Sequence, residues 1–110
     1  MLLGWLLAHL SFALPLRRLR ETRTLLAFHH PQPSYPVHIV LAPKKAIASL
    51  MRLEAQVAEF LSDLFATVQS LVAEFNLEER GYRLIVNGGA NQEVAQLHFH
   101  LISEGESLKP

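Results

Sequence analysis

The pattern that most constrains this chain lies in residues 46–75. There Leu50, Leu53, Val57, Phe60, Leu64, Val68, Leu71 and Phe75 recur at three- and four-residue steps, the period of a helix with one apolar stripe. The spacing predicts a short opening turn capped by Ser49. A main helix then runs from about Glu54 to about Asn76, where asparagine can take the left-handed backbone of a helix end. The flanking residues favour extended chain. Thr24 to Phe28 reads as a short strand, and Pro31, Pro33 and Pro36 make a loop that cannot be helical. Val37 to Leu41 has the β-branched density of a buried strand, stopping at Pro43. Past a break at Gly81, Tyr82 to Val86 reads as a strand, Asn87 to Asn91 as a turn and Val94 to Ile102 as a returning strand, together a hairpin.

With 110 residues, half of them hydrophobic and 18% charged, the chain has enough apolar surface for one folded domain and too little length for two. Ten basic and ten acidic residues cancel to a formal net charge of +0, so the broad positive field of a nucleic-acid binder is excluded. The absence of cysteine excludes disulfide frameworks, thiolate zinc sites and cysteine nucleophiles. Residues 1–16 are almost wholly apolar and precede Arg17, Arg18, Arg20 and Arg23. Gly4, His9, Ser11 and Pro15 interrupt a run already short for a membrane span, and a secretory peptide would carry its positive charge before the apolar stretch. The favoured reading is an apolar helix over residues 1–18, packed on the domain 19–110 or on a partner subunit. A membrane anchor with a cytoplasmic body is the second reading, and either places the domain in the cytoplasm.

Chemistry concentrates in the last strand. Side chains alternate there, so Gln96, His98 and His100 project to one side while Leu97, Phe99 and Leu101 project to the core. A neutral imidazole is a nucleophile and titrates near neutral pH, and a neighbouring group can fix its tautomer through the other ring nitrogen. His38, on another strand, can give that help. Spacing alone leaves three readings open: partly exposed strand residues, metal-free nucleophilic catalysis, and a metal held by His98, His100 and His38 with Glu93. Lys44 and Lys45 read as a solvated turn.

Order along the chain adds a resemblance. The segment from Leu26 through His29, His30 and the prolines to His38, Ile39 and Val40 resembles the histidine triad (HIT) family, as does Ala42-Pro43-Lys44-Lys45 running on to Leu50. Gly81-Tyr82-Arg83-Leu84-Ile85-Val86-Asn87, then Gln92, then Gln96-Leu97-His98-Phe99-His100-Leu101-Ile102 match the family's hairpin and its alternating motif. The resemblance implies an α+β, HIT-like fold: an antiparallel sheet of about five strands with one long helix, to which the N-terminal helix is an addition. It also implies a nucleotide-binding protein, commonly a homodimer, that acts on nucleoside phosphoramidates or dinucleoside polyphosphates and needs no metal or cofactor.

By position His98 is the implied nucleophile, giving a nucleotidyl-histidine intermediate. His100 is the implied phosphate contact, and His38 the residue that hydrogen-bonds to the nucleophile's ring and orients it. His29, His30, Asn87, Gln92 and Glu93 are the implied nucleotide contacts. Three positions depart from the pattern. Gln96 replaces the first histidine and cannot be protonated, His30 stands where an acidic residue for the ribose hydroxyls falls, and Glu93 stands where serine or threonine is usual. Together they motivate a second functional reading, a catalytically weakened module that binds or senses nucleotide.

Overall fold

The computed structural model describes residues 17–54 and 58–105. The helix expected over residues 1–16 lies outside them. Five strands, β1 (Arg18–Glu21), β2 (Leu25–His29), β3 (Val37–Pro43), β4 (Arg83–Val86) and β5 (Phe99–Ser103), form one sheet in the order β1-β2-β3-β5-β4. Every neighbouring pair is antiparallel. The long helix α1 (Ala58–Glu74) and a short α2 (Leu77–Arg80) lie between β3 and β4 in the chain. The fold is therefore α+β, as the resemblance implies.

The apolar stripe does the expected work. Phe60, Leu64, Val68, Leu71 and Val72 of α1 are buried in one cluster with Leu25, Ala27, Ile39, Leu41, Phe99 and Leu101 of the sheet and Leu97 just before β5. Burial of a large aliphatic side chain contributes roughly 1.5–3 kcal/mol, so this face carries most of the fold's hydrophobic stabilisation. Along the sheet's edge a polar seam fixes α1. Arg20 donates to Ser70 Oγ at 2.9 Å and pairs with Glu74 at 2.6 Å, while the hydroxyls of Thr22 and Thr24 donate to Asp63 at 3.1 and 2.6 Å. Asn76 ends the helix at φ 58°, and Gly81 turns the chain back at φ 87°, both as expected from residue type.

Several boundaries differ from the sequence reading. β1 was not expected, because its residues read as part of a basic cluster. Leu19 packs against the core and Arg20 reaches α1, which makes Arg18 the start of the sheet rather than the end of a separate N-terminal segment. Ser49 precedes the 3₁₀ turn Leu50–Arg52 without a side-chain cap, its carbonyl taking the Arg52 N–H at 2.9 Å. The last strand begins at Phe99 rather than Val94. The segment before it is tied to the loop after β3 instead of to a strand: Leu97 N–H donates to Ile47 O at 2.7 Å, and the Gln92 amide donates to Ala48 O and Val94 O, each at 2.8 Å. Lys44 pairs with Glu21 at 2.8 Å, and that ammonium holds the Glu21 carboxyl below its usual range. Among the described residues no helix is long and apolar enough to cross a membrane.

Candidate active site

Strand register decides which imidazoles meet. In the β3–β5 pairing His38 lies opposite Ile102 and Val40 opposite His100, so His38 and His100 are diagonal neighbours on the face turned away from α1. Their rings meet through Nε2 of His38 and Nδ1 of His100 at 3.0 Å. His98, just before the strand, puts its ring 5.0 Å from that of His100, edge to face. His30, just after β2, stacks on His38 with centroids 4.3 Å apart. The four rings line one cavity of about 320 Å³, closed on another side by Asn87, Gln92 and Glu93 from the β4–β5 connection.

Backbone groups dictate where each ring proton sits. The Ser34 N–H donates to Nδ1 of His38 at 3.1 Å, so the His38 proton is on Nε2 and is donated to His100. Nδ1 of His100 accepts it, which leaves the His100 proton on its own Nε2. The Gln32 N–H donates to Nδ1 of His30 at 3.0 Å, placing that proton on Nε2 as well. His98 is the opposite case. Its Nδ1 lies 2.7 Å from the Gln96 carbonyl oxygen, a group that can only accept, so Nδ1 carries the proton and the Nε2 of the neutral ring keeps its lone pair. Burial, with the neighbouring His30, pushes the pKa of His38 down to about 4. Burial, then the positive charge that His98, His38 and His30 would carry, brings His100 to about 4 as well. Burial, then His98, also lowers His30. The chain Ser34, His38, His100 is consequently neutral and directional near pH 7.

The arrangement supplies a nucleophilic nitrogen at His98 beside a hydrogen-bond donor at His100, which suits attack at an electrophile bearing an anionic oxygen. Three expectations are corrected. His38 does not hydrogen-bond to the His98 ring; the register puts it against His100, and the Gln96 backbone carbonyl holds His98 instead. The Gln96 side chain is turned out of the cavity, its amide donating to Lys45 O at 3.3 Å. His29, one residue from His30 on the alternating strand, points to the other face, where its ring meets Phe75 edge to face at 6.0 Å. Gln32, Ser34, Asn91 and Val94 line the cavity without having been anticipated. Ser34 and Gln32 act through backbone N–H groups, which no side-chain pattern announces. Among the described residues no three histidine, aspartate or glutamate side chains form a group able to hold a metal, and both ring nitrogens of His38 are already engaged.

A five-stranded antiparallel sheet with one long helix across one face and a histidine-lined cavity on the other defines an α+β class with its site built on paired strands. The family model of the HIT domain matches residues 13–107, and the chain belongs to that family. An uncharacterised HIT-like protein of Synechococcus elongatus is 40% identical over 90 residues, 80% of this chain and 77% of that protein. A 13.2 kDa HIT-like protein of Azospirillum brasilense is 36% identical over 100 residues, 88% and 81% of the two chains. Among solved structures, a HIT family hydrolase of Legionella pneumophila superposes with a TM-score of 0.77 at 30% identity, covering 88% of each chain. A histidine triad nucleotide-binding protein of Candida albicans gives 0.80 at 28% identity, covering 94% of this chain and 76% of that one.

Proposed function

We propose that this protein binds nucleotides and transfers or hydrolyses nucleotidyl groups, acting on nucleoside phosphoramidates or dinucleoside polyphosphates through a nucleotidyl-histidine on His98. The observation that carries the reading is the locked tautomer of His98, with Nδ1–H held by the Gln96 carbonyl and the ring lining the cavity beside His100. The His98 Nε2 lone pair forms a bond to the α-phosphorus as the bond to the leaving amine or phosphate breaks; an amine takes a proton from solvent, returned when water is later split, and a phosphate leaves as its anion. Water then attacks the phosphorus, the N–P bond breaks, and a nucleoside monophosphate leaves with His98 restored. His100 donates from Nε2 to the phosphoryl oxygen on which charge grows, and His38 holds His100 in the tautomer that can do so. Phe65 and Leu61, exposed on α1, are the surface proposed for a homodimer, which sedimentation at several concentrations tests.

Incubation with adenosine 5′-phosphoramidate in the presence of a chelator is expected to give turnover that His98→Ala lowers by at least ~10³-fold, with its melting temperature close to the parent's. A weakened binding module is the second reading, favoured by the Gln96 amide bonding to Lys45 rather than facing the cavity. Tight nucleotide binding with no turnover selects it and overturns the first.

A further inference from the structure

Hydrolysis of a nucleotidyl-histidine is helped by a group that takes a proton from water, and the imidazoles of this cavity are not free to be that group. A neutral ring accepts only at its bare nitrogen. In His38 that nitrogen, Nδ1, already takes the Ser34 N–H at 3.1 Å. In His100 it takes the His38 proton at 3.0 Å, and in His30 it takes the Gln32 N–H at 3.0 Å. Burial holds all three rings below the ordinary imidazole range, which weakens them further as bases. His98 carries its proton on Nδ1, against the Gln96 carbonyl, and at this stage its Nε2 is bonded to phosphorus.

Of the other side chains lining the cavity, Gln32, Ser34, Asn87, Asn91 and Gln92 offer amides or a hydroxyl, and Val94 is apolar. None of these is a base at neutral pH. Gln96 is turned away, its amide on Lys45 O at 3.3 Å. Glu93 remains, the one carboxylate lining the cavity among the described residues. An ionised carboxylate only accepts, and that of Glu93 has no hydrogen-bond or ion-pair partner among those residues. Its backbone is nonetheless held, because the Gln92 amide donates to Ala48 O and Val94 O at 2.8 Å each and so ties the chain on both sides of Glu93. In an in-line displacement water enters from the side of phosphorus away from His98. Glu93 belongs to the β4–β5 connection, which closes the cavity on another side than the strands whose ends carry the histidines.

Resting on the nucleotidyl-histidine reading above, we propose that Glu93 is the general base of the hydrolytic step, taking a proton from the water that attacks nucleotidyl-His98. The water oxygen bonds to phosphorus as its proton passes to the Glu93 carboxylate. The N–P bond breaks, its electron pair returns to His98 Nε2, and the nucleoside monophosphate leaves. Glu93 then releases the proton to solvent.

Single-turnover mixing with adenosine 5′-phosphoramidate, quenched in alkali and followed by intact mass and by release of adenosine monophosphate, separates the two half-reactions. Glu93→Gln keeps the shape of the side chain but accepts no proton. It is expected to form the adenylylated protein and to break it down at least ~10²-fold more slowly than the wild type, the usual loss when a general base is removed. Hydroxylamine, a nucleophile that needs no deprotonation, is expected to restore breakdown of the stalled adduct, and Glu93→Asp to retain part of the water-dependent rate; circular dichroism checks that both variants fold. Breakdown at the wild-type rate in Glu93→Gln overturns the base and leaves the proposed activity standing, as does equal slowing of adduct formation and breakdown. Turnover with no adduct on His98 in either protein overturns the covalent reading and the base with it.

Discussion

The two faces of β3 and β5 are built from alternate residues of the same strands and obey different rules. On the helix side Ile39, Leu41, Phe99 and Leu101 pack against α1, where volume and contact determine the energy and no atom needs a particular proton. On the other side His38 and His100 meet at 3.0 Å, with the Ser34 N–H on Nδ1 of His38, and the location of one hydrogen determines whether a ring donates or accepts. The first face is robust to chemistry and sensitive to volume. The second also buries Phe28, Val40 and Ile102, but at its two histidines the outcome depends on proton position. A site can thus be grafted on a stable sheet at the cost of a few positions of one face.

Adjacent substitutions break the comparison most directly. His100→Ala is expected to lower kcat by about 10²–10³-fold, the usual loss when a donor to a developing anionic oxygen is removed, and to leave stability nearly intact. Leu101→Ala, one residue along and fully buried, is expected to cost about 2–5 kcal/mol of unfolding free energy. Single-turnover kinetics and denaturant titration of both proteins read the contrast, and equal loss of stability in the two would dissolve the distinction between the faces.

A smaller effect sharpens it. His38→Ala removes the group that forces the His100 proton onto Nε2, and kcat is expected to fall about tenfold, one hydrogen bond's worth, with little change in nucleotide affinity. A drop in affinity alone would assign His38 to binding rather than to proton placement.

The smallest effect is pH dependence of stability. His38 and His100 protonate near pH 4 in the folded chain against an ordinary value of 6.5. Between these values the unfolded chain binds more protons, so stability rises with pH through that window and is indifferent to these groups above it. Thermal melts from pH 4 to 7 are expected to show a steeper acid loss in the wild type than in His38→Ala. Parallel curves would mean the cluster is not held neutral by the fold.

The sequence made some of this legible and hid the rest. The helical period placed Phe60, Leu64, Val68 and Leu71 on one buried stripe, and alternation separated Leu97, Phe99 and Leu101 from His98 and His100. The signals at Asn76 and Gly81 also sufficed, because those residue types tolerate positive φ at little cost. β1 escaped because four residues of mixed charge carry no pattern until Arg20 reaches Ser70 and Glu74, fifty or more positions away. The late start of the last strand, at Phe99 rather than Val94, escaped for a similar reason: Gln92 and Leu97 bond to the loop at Ile47 and Ala48, and no local rule foresees it. The family resemblance brought His38 into the site but paired it with the wrong histidine.

Periodicity of two or 3.6 residues is a property of the backbone, so which side chains share a face follows from residue order alone, and the core and the imidazole row were settled at that level. Hydrogen-bond direction depends on which atoms from remote segments come within 3 Å. Register across β3 and β5, the Ser34 and Gln32 amides of the proline-rich loop and the Gln96 carbonyl assigned each proton, and with it the division into one ring with a free Nε2 lone pair and three with the proton on Nε2. That assignment exists only in the folded chain, because an isolated imidazole has no preference strong enough to choose a tautomer by itself.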